Sequence, residues 1–206
     1  MTVAALHEPR RRLGPLERLE ALCDPGSIEV LRSHVVSERL GARALPGDGV
    51  IGATGMVDGR PIACYAEDGS FLGGSLGERH ADTPRSCGRS PRHGFQKLTV
   101  VLRKAYGGAY ITMNSRDLGA DLVLASPQAE LGIMSARAAV GIVNRRELRL
   151  AGDPEAEHEH LAARYAREHL RAEAVAAAGF VDELVEPADT RRRVAGALRA
   201  LARAHP

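Results

Sequence analysis

The stretch LTVVLRKAYGGAYITM, Leu98 to Met113, leaves this chain few ways to fold, because an apolar β-branched run meets paired glycines and a helix-compatible segment almost at once. Thr99-Val100-Val101 has the character of a buried strand. The strand ends at the charged pair Arg103-Lys104, breaks at Gly107-Gly108, and Ala109-Tyr110-Ile111-Thr112-Met113 continues as helix. A strand, a glycine turn and a helix start set several backbone N–H groups side by side. Glycine has no Cβ, so a ligand oxygen can approach those donors closely. The helix start adds a partial positive charge at the same spot. Two readings fit this geometry: a tight βα connection with no chemistry, or a turn that stabilises a carbonyl oxygen as it becomes negative.

The sequence beyond the turn keeps alternating. Leu118 to Ala125 predicts a second buried strand around Leu122-Val123-Leu124, ended by Pro127, and Ala129 to Met134 is a third short apolar piece. Ala136 to Leu148 predicts one Ala-rich helix. Asp153 as N-cap and Pro154 at the first position then open a helix running to about Ala178, where Gly179 stops it. Leu161, Tyr165, Ala162 and His169 are its expected inner face. Phe180 to Val185 is extended, and Asp189 or Thr190 caps a last helix with Val194, Leu198 and Leu201 along one side. Strand and helix in alternation indicate an α/β architecture.

The first part of the chain is patterned differently. Arg10-Arg11-Arg12 closes a terminal arm, Pro15 opens a short helix with Leu16, Leu19, Leu22 and Cys23 on one face, and residues 28–46 are mixed, with loop from Gly41 to Pro46. Val50–Val57 and Arg60–Tyr65 flank Asp58-Gly59, a strong hairpin signal. Gly47, Gly49 and Gly52 satisfy G-x-G-x-x-G, yet a hairpin follows where a dinucleotide site needs a helix. Gly73-Gly74-Ser75-Leu76-Gly77 satisfies G-x-S-x-G, which would make Ser75 a hydrolase nucleophile with its Asp and His partners unidentified. Residues 83–95, basic and rich in Pro, Gly and Ser, separate this block from the next as a linker. In the long helix, Glu155/His158 and Glu157/His160 have metal-ligand spacing, but a solvated helix start explains them without a metal.

Composition narrows the function classes. Aromatics are 3% of the chain and Trp is absent, so Ala, Leu and Val must build the core. The net charge of +2 has no concentrated basic block, which disfavours nucleic-acid binding. Cys23, Cys64 and Cys87 are odd in number and lack metal-like spacing, as expected in a reducing compartment. No apolar run approaches a membrane span and no secretory h-region is present, so the expectation is a cytoplasmic protein.

Six segments together resemble a known family: LERLEALCDPGS (16–27), GDGVIGATGMVDGRPIACYAED (47–68), LGGSLGERHA (72–81), LTVVLRKAYGGAY (98–110), AELGIMSARAAVGIVNRREL (129–148) and GFVDELVEPADTRRRV (179–194). The chain resembles the β (carboxyltransferase) subunit of biotin-dependent acyl-CoA carboxylases, the propionyl-CoA/acetyl-CoA carboxylase group. The resemblance implies an α/β, crotonase-like fold. Family members carry two tandem domains, an acyl-CoA side and a biotin side, each with a glycine-rich oxyanion turn. Here residues 1–82 resemble the start of the first domain, 83–95 form the junction, and 96–206 resemble the second half of the second. The centre is missing, including the first domain's oxyanion turn, so the fold expected is a truncated one, with closure into one composite domain as an option.

Carried onto these residues, the resemblance implies that the backbone N–H groups of Gly108 and Ala109 form the biotin-side oxyanion hole. It places Gly107, Tyr110, Met134 and Ser135 around the biotin, and Ile111, Gly73, Gly74 and Ser75 on the acyl-CoA side. An apolar Ile111, rather than Asp, argues against strict propionyl-CoA selection. Met134-Ser135 stands where the family usually has Met-Gly, and Ser126 where Trp is common. The implied reaction moves CO₂ from carboxybiotin, carried on a partner protein, to the α-carbon of a short acyl-CoA, with no metal in this chain. Implied partners are a biotin carboxylase/biotin carrier subunit and either further copies of the chain or a full-length β subunit. The alternatives are a shortened, non-catalytic paralogue acting as a binding or assembly piece, and the Ser75 hydrolase.

Overall fold

The computed structural model describes residues 12–31, 36–74, 96–112 and 114–204. The terminal arm up to residue 11, Ser75, the 83–95 junction and Met113 lie outside the described residues. The chain divides into two compact units, Met1–Cys87 and Gly88–Pro206.

The first unit is an antiparallel sheet with a helix packed on it. Helix α1 (Pro15–Leu22) starts with Pro at its first position, and the Glu17 carboxylate accepts a hydrogen bond from the Gly14 N–H at 2.7 Å. Leu19 and Cys23 are buried, as the apolar face required. Strands β2 (Val50–Val57) and β3 (Arg60–Glu67) form the expected hairpin, with Asp58 (φ 48°) and Gly59 (φ 71°) both left-handed in the turn. The stretch 28–46 holds an element the pattern did not announce: β1 (Glu29–Leu31), three residues paired antiparallel with β2. Asp24 explains why the chain turns there, since its two carboxylate oxygens accept from the Asp58 N–H (3.1 Å) and the Gly59 N–H (2.9 Å). The G-x-G-x-x-G run opens directly onto β2, an antiparallel strand with no helix behind it.

The second unit is built on parallel strands. β4 (Leu98–Val101), β6 (Leu122–Ala125) and β8 (Glu183–Leu184) make one sheet in the order β4-β6-β8. The strand expected to run on to Arg103 stops at Val101, bends, and restarts as β5 (Lys104–Tyr106), which pairs with β7 (Glu130–Gly132) in a separate two-stranded sheet. Helix α2 (Gly107–Thr112) follows β5 without a break, starting two residues earlier than Ala109. Val101, Val123, Ala125, Leu131, Ala172 and Val175 form the core, small aliphatics in place of aromatics.

The helical half departs from expectation twice. The single helix expected over 136–148 is two, α3 (Ala136–Val143) and α4 (Arg145–Leu150), because Asn144 (φ −100°, ψ 19°) leaves helical geometry between them. The long helix from Pro154 is also interrupted: α5 (Pro154–Tyr165) passes into a π-helical turn, Ala166–Leu170, then breaks at extended Arg171 before α6 (Ala172–Ala177). A π turn carries one residue more than an α turn. The inward position four residues after Tyr165 therefore moves on by one, from His169, whose side chain is 56% exposed, to Leu170, which is 4% exposed. Gly179 (φ 84°) ends α6, and α7 (Thr190–Ala204) buries Val194 and Ala195.

Removing the Asp24 carboxylate leaves the hairpin turn without its two acceptors. Asp24→Ala is expected to destabilise the first unit by about 1–2 kcal/mol, with Asp24→Asn in between, measured as denaturation midpoints of the three chains.

Candidate functional site

The turn at the end of β5 is shaped by one glycine more than by its neighbour. Gly107 takes a left-handed backbone (φ 59°), and a Cβ there would lie 3.0 Å from the Ile133 carbonyl oxygen. Both facts demand glycine at 107. Gly108 is exposed and, like Ala109, lies in the first turn of α2. Across from the turn, the chain leaving β7 passes through Ile133 and Met134 to Ser135, the N-cap of α3.

A groove of about 340 Å³ opens beside this crossing. Ile133, Met134, Ile142, Val143, Tyr165 and Leu170 are among its lining residues. Its apolar character is unusual for a surface, with Ile133 84%, Ile142 67% and Val143 73% exposed. Its floor depends on Gly132, where a Cβ would fall 2.5 Å from Leu170 Cδ2. The π turn thus delivers Leu170 against Gly132, and a Cβ there would force the Leu170 side chain to shift.

Of the residues expected at the site, Gly107, Gly108, Ala109, Met134 and Ser135 belong to this crossing. Ser135 has a structural duty, its Oγ accepting from the Ala138 N–H at 3.3 Å. Tyr110 departs from the expectation of a groove residue: its ring packs against the core, and its hydroxyl is buried with no hydrogen-bond partner among the described residues. Burial, and after it the charge of Asp117, raise the Tyr110 phenol above its usual value. Ile111 is half exposed on α2. Gly73 (φ 67°) and Gly74 (φ 78°) belong to the first unit, at the end of a 3₁₀ segment, Phe71–Gly74. Strand β3 has already ended at Glu67, so the direct strand-to-turn entry of a nucleophile elbow is missing. The acid–histidine run of α5 is engaged in helix contacts: Glu155 with Arg137, and His158 Nε2 at 2.8 Å from the Arg137 carbonyl oxygen. Among the described residues no three His, Cys, Asp or Glu side chains are grouped to hold a metal.

Two residues beside the turn went unannounced. The Tyr106 hydroxyl donates to the Glu130 carboxylate across β5 and β7. Burial first, then that hydrogen bond, then the negative charge of Glu130 push the Tyr106 phenol well above its usual value. The only sequence signal was a tyrosine directly before the glycine pair. Leu170, on the groove's far wall beside the expected Tyr165, was hidden because nothing in the pattern announced a π turn.

Comparisons with known proteins bear on the chain as a whole. A family model for the carboxyl transferase domain matches residues 6–87 and 95–205. The chain belongs to the carboxyl transferase domain family. It is 47% identical over 102 residues to the methylmalonyl-CoA carboxyltransferase 12S subunit of Propionibacterium freudenreichii subsp. shermanii, a match spanning 50% of this chain and 20% of that subunit. Similar figures, 46% over 104 residues, 50% of this chain and 20% of the relative, hold for the carboxyltransferase subunit of propionyl-CoA carboxylase from Haloferax mediterranei. The matched segments therefore span about a fifth of these relatives' length. The crystal structure of transcarboxylase 12S with methylmalonyl-coenzyme A and methylmalonic acid bound, described as a hexamer, superposes with a TM-score of 0.76 at 28% identity. That superposition covers 94% of this chain and 42% of the other. A Pseudomonas malonate decarboxylase hetero-tetramer gives a TM-score of 0.66 at 22% identity, covering 89% of this chain and 81% of its own, and supports the fold alone. The fold is the crotonase-like carboxyltransferase fold, present in part. Among the described residues no helix is long and apolar enough to cross a membrane.

Gly107→Ala is expected to cost roughly 1–3 kcal/mol of stability, from the left-handed backbone and the Ile133 carbonyl together, measured by urea denaturation. The Tyr106 phenol binds its proton more tightly in the folded chain than in the unfolded one. Its contribution to stability is therefore complete below the ordinary phenol value of 10.0 and is lost as the pH rises past it. Tyr106→Phe should flatten the alkaline fall in denaturation midpoint above about pH 10, with a residue remaining from Tyr110.

Proposed function

We propose that this chain takes part in carboxyl transfer between carboxybiotin and the α-carbon of a short acyl-CoA, and that its second unit supplies the biotin-facing half of the site. The observation that carries the reading is the family match over nearly the whole chain, with the glycine turn of 107–109 inside the matched residues. Relatives support the class of substrate: one is named a biotin-dependent acetyl-/propionyl-coenzyme A carboxylase beta6 subunit, from Mycobacterium tuberculosis.

The residues present fit a biotin. The groove of about 340 Å³ has apolar walls for a small bicyclic ring, and the backbone of the glycine turn crosses beside it through the Gly107–Ile133 approach. A bound carboxybiotin supplies the carboxyl group. In this reading the Gly108 and Ala109 N–H groups meet the ureido oxygen as negative charge gathers on it, worth about 10²–10³ in rate for a single such donor. Ile133 and Met134 exclude water from the ring, and Gly107 holds the turn in the conformation that points the donors. No side-chain nucleophile would be needed, because the carboxyl group would leave N1′ of the biotin for the acyl α-carbon, and the proton given up by that carbon would end on the freed N1′. Ile111 stands near the acyl group, and an apolar side chain there accepts straight short chains. Gly73, Gly74 and Ser75 contribute on the acyl-CoA side in the same reading.

The proposed partners are a biotin carboxylase/biotin carrier subunit and further copies of the chain or a full-length carboxyltransferase subunit. One observation favours a second reading: the chain covers 42% of transcarboxylase 12S, and by the family resemblance the thioester would take its own oxyanion hole from another chain. On that reading the chain is a non-catalytic binding piece beside a longer subunit.

Exchange of ¹⁴C between malonyl- or methylmalonyl-CoA and free biotin separates the two. The chain mixed with a full-length subunit should add exchange beyond that subunit alone, and Gly108→Val should lower the added part at least about 100-fold without shifting the denaturation midpoint to match. No added exchange would leave the binding-piece reading standing.

A further inference from the structure

The sheet that carries the glycine turn is too small to hold its own geometry. β5 and β7 contribute three residues each, paired Lys104 with Glu130, Ala105 with Leu131 and Tyr106 with Gly132. An isolated strand pair is marginal in water even when longer. One side-chain hydrogen bond crosses it, from the Tyr106 hydroxyl to the Glu130 carboxylate. The donor belongs to the residue directly before Gly107. The acceptor belongs to the strand whose exit, through Ile133, meets Gly107. We propose that Tyr106 and Glu130 are positioning residues: their hydrogen bond fixes the direction in which β5 leaves the sheet, and with it where the backbone of 107–109 points. The functional weight of this pair rests on the carboxyl-transfer reading of that turn.

Three observations converge on it. The bond is diagonal, joining Tyr106 to the residue two places back from its own partner Gly132, so it resists sliding of β5 along β7. Glu130 is itself anchored: its N–H donates to the Arg103 carbonyl at 2.9 Å and it bridges Arg171, while the adjacent Ala129 is fully buried and accepts from the Ala172 N–H at 3.0 Å. Gly107 then transmits the angle, because its left-handed backbone (φ 59°) links Tyr106 directly to Gly108, beside a stretch at Ile133 that leaves no comfortable room for a side chain. A carboxylate acceptor makes the bond charge-assisted and roughly twice as strong as a neutral one. The raised proton affinity of the Tyr106 phenol agrees with this geometry.

The test is amide hydrogen exchange on the ¹⁵N-labelled chain, comparing Tyr110 and Ile111, the first α2 amides with acceptors inside the turn, with Val123 and Leu124 in β6. Tyr106→Phe and Glu130→Leu should speed exchange at the turn about ten- to a hundredfold and leave the β6 amides within about twofold. Glu130→Gln keeps an oxygen acceptor and should recover most of the protection. Unchanged exchange at the turn overturns the proposal, and so does an acceleration shared equally by β6, which would make the pair a general stabiliser. The same variants go into the ¹⁴C exchange assay. Turn amides that respond in a chain that transfers no label keep the positioning role and remove the carboxyl-transfer reading. Label transfer with indifferent amides removes the positioning role alone.

Discussion

The second unit depends on β6 being buried on both faces. Val123, Leu124 and Ala125 are wholly withdrawn from water, so these positions admit no unpaired polar side chain. β4 lies on one side of it and β8 on the other. Asp182 fastens the approach to β8: its N–H donates to the Val123 carbonyl, its carboxylate accepts from the Val123 N–H at 2.7 Å, and Arg116 pairs with the same carboxylate. β4 inherits its place from β6, β5 continues from β4 after a two-residue bend, and α2 continues from β5. The glycine turn is therefore positioned by a strand that lies outside it.

The elements legible in the sequence are those whose cause is local. Asp58-Gly59 between two apolar runs specifies a hairpin because few residues accept left-handed geometry, and the hairpin is there. Asp153, Pro154 and Gly179 mark helix ends for equally local reasons. What stayed hidden has tertiary causes. β1 exists because β2 offers an edge, and nothing in Glu29-Val30-Leu31 says so. The helix over 154–178 breaks because Arg171 is drawn into a bridge with Glu130 and Ala172 into a bond with Ala129, both far away in sequence.

The site divides along the same line. The glycine pair was legible, but the sequence cannot say which of the two carries the conformational demand, and the structure assigns it to Gly107. Tyr110, equally close to the turn in sequence, faces the core because one helical step beyond Ala109 points that way. Glu130 and Tyr106 meet only through the parallel register of β5 and β7, which no local pattern encodes. Family resemblance nominated the turn, and the geometry shows which of its residues carries the conformational demand.

The π turn at Ala166–Leu170 has a consequence for how this chain tolerates length changes. It acts as a phase shifter, advancing the helical count by one residue so that Leu170, and not His169, arrives over Gly132. A helix that closed the bulge without losing a residue would bring His169 to the inward position four residues after Tyr165 and carry Leu170 off Gly132. Loss of one residue within the turn would instead leave Leu170 in phase. The groove's shape is thus recorded as spacing along a distant helix as well as in the residues that line it.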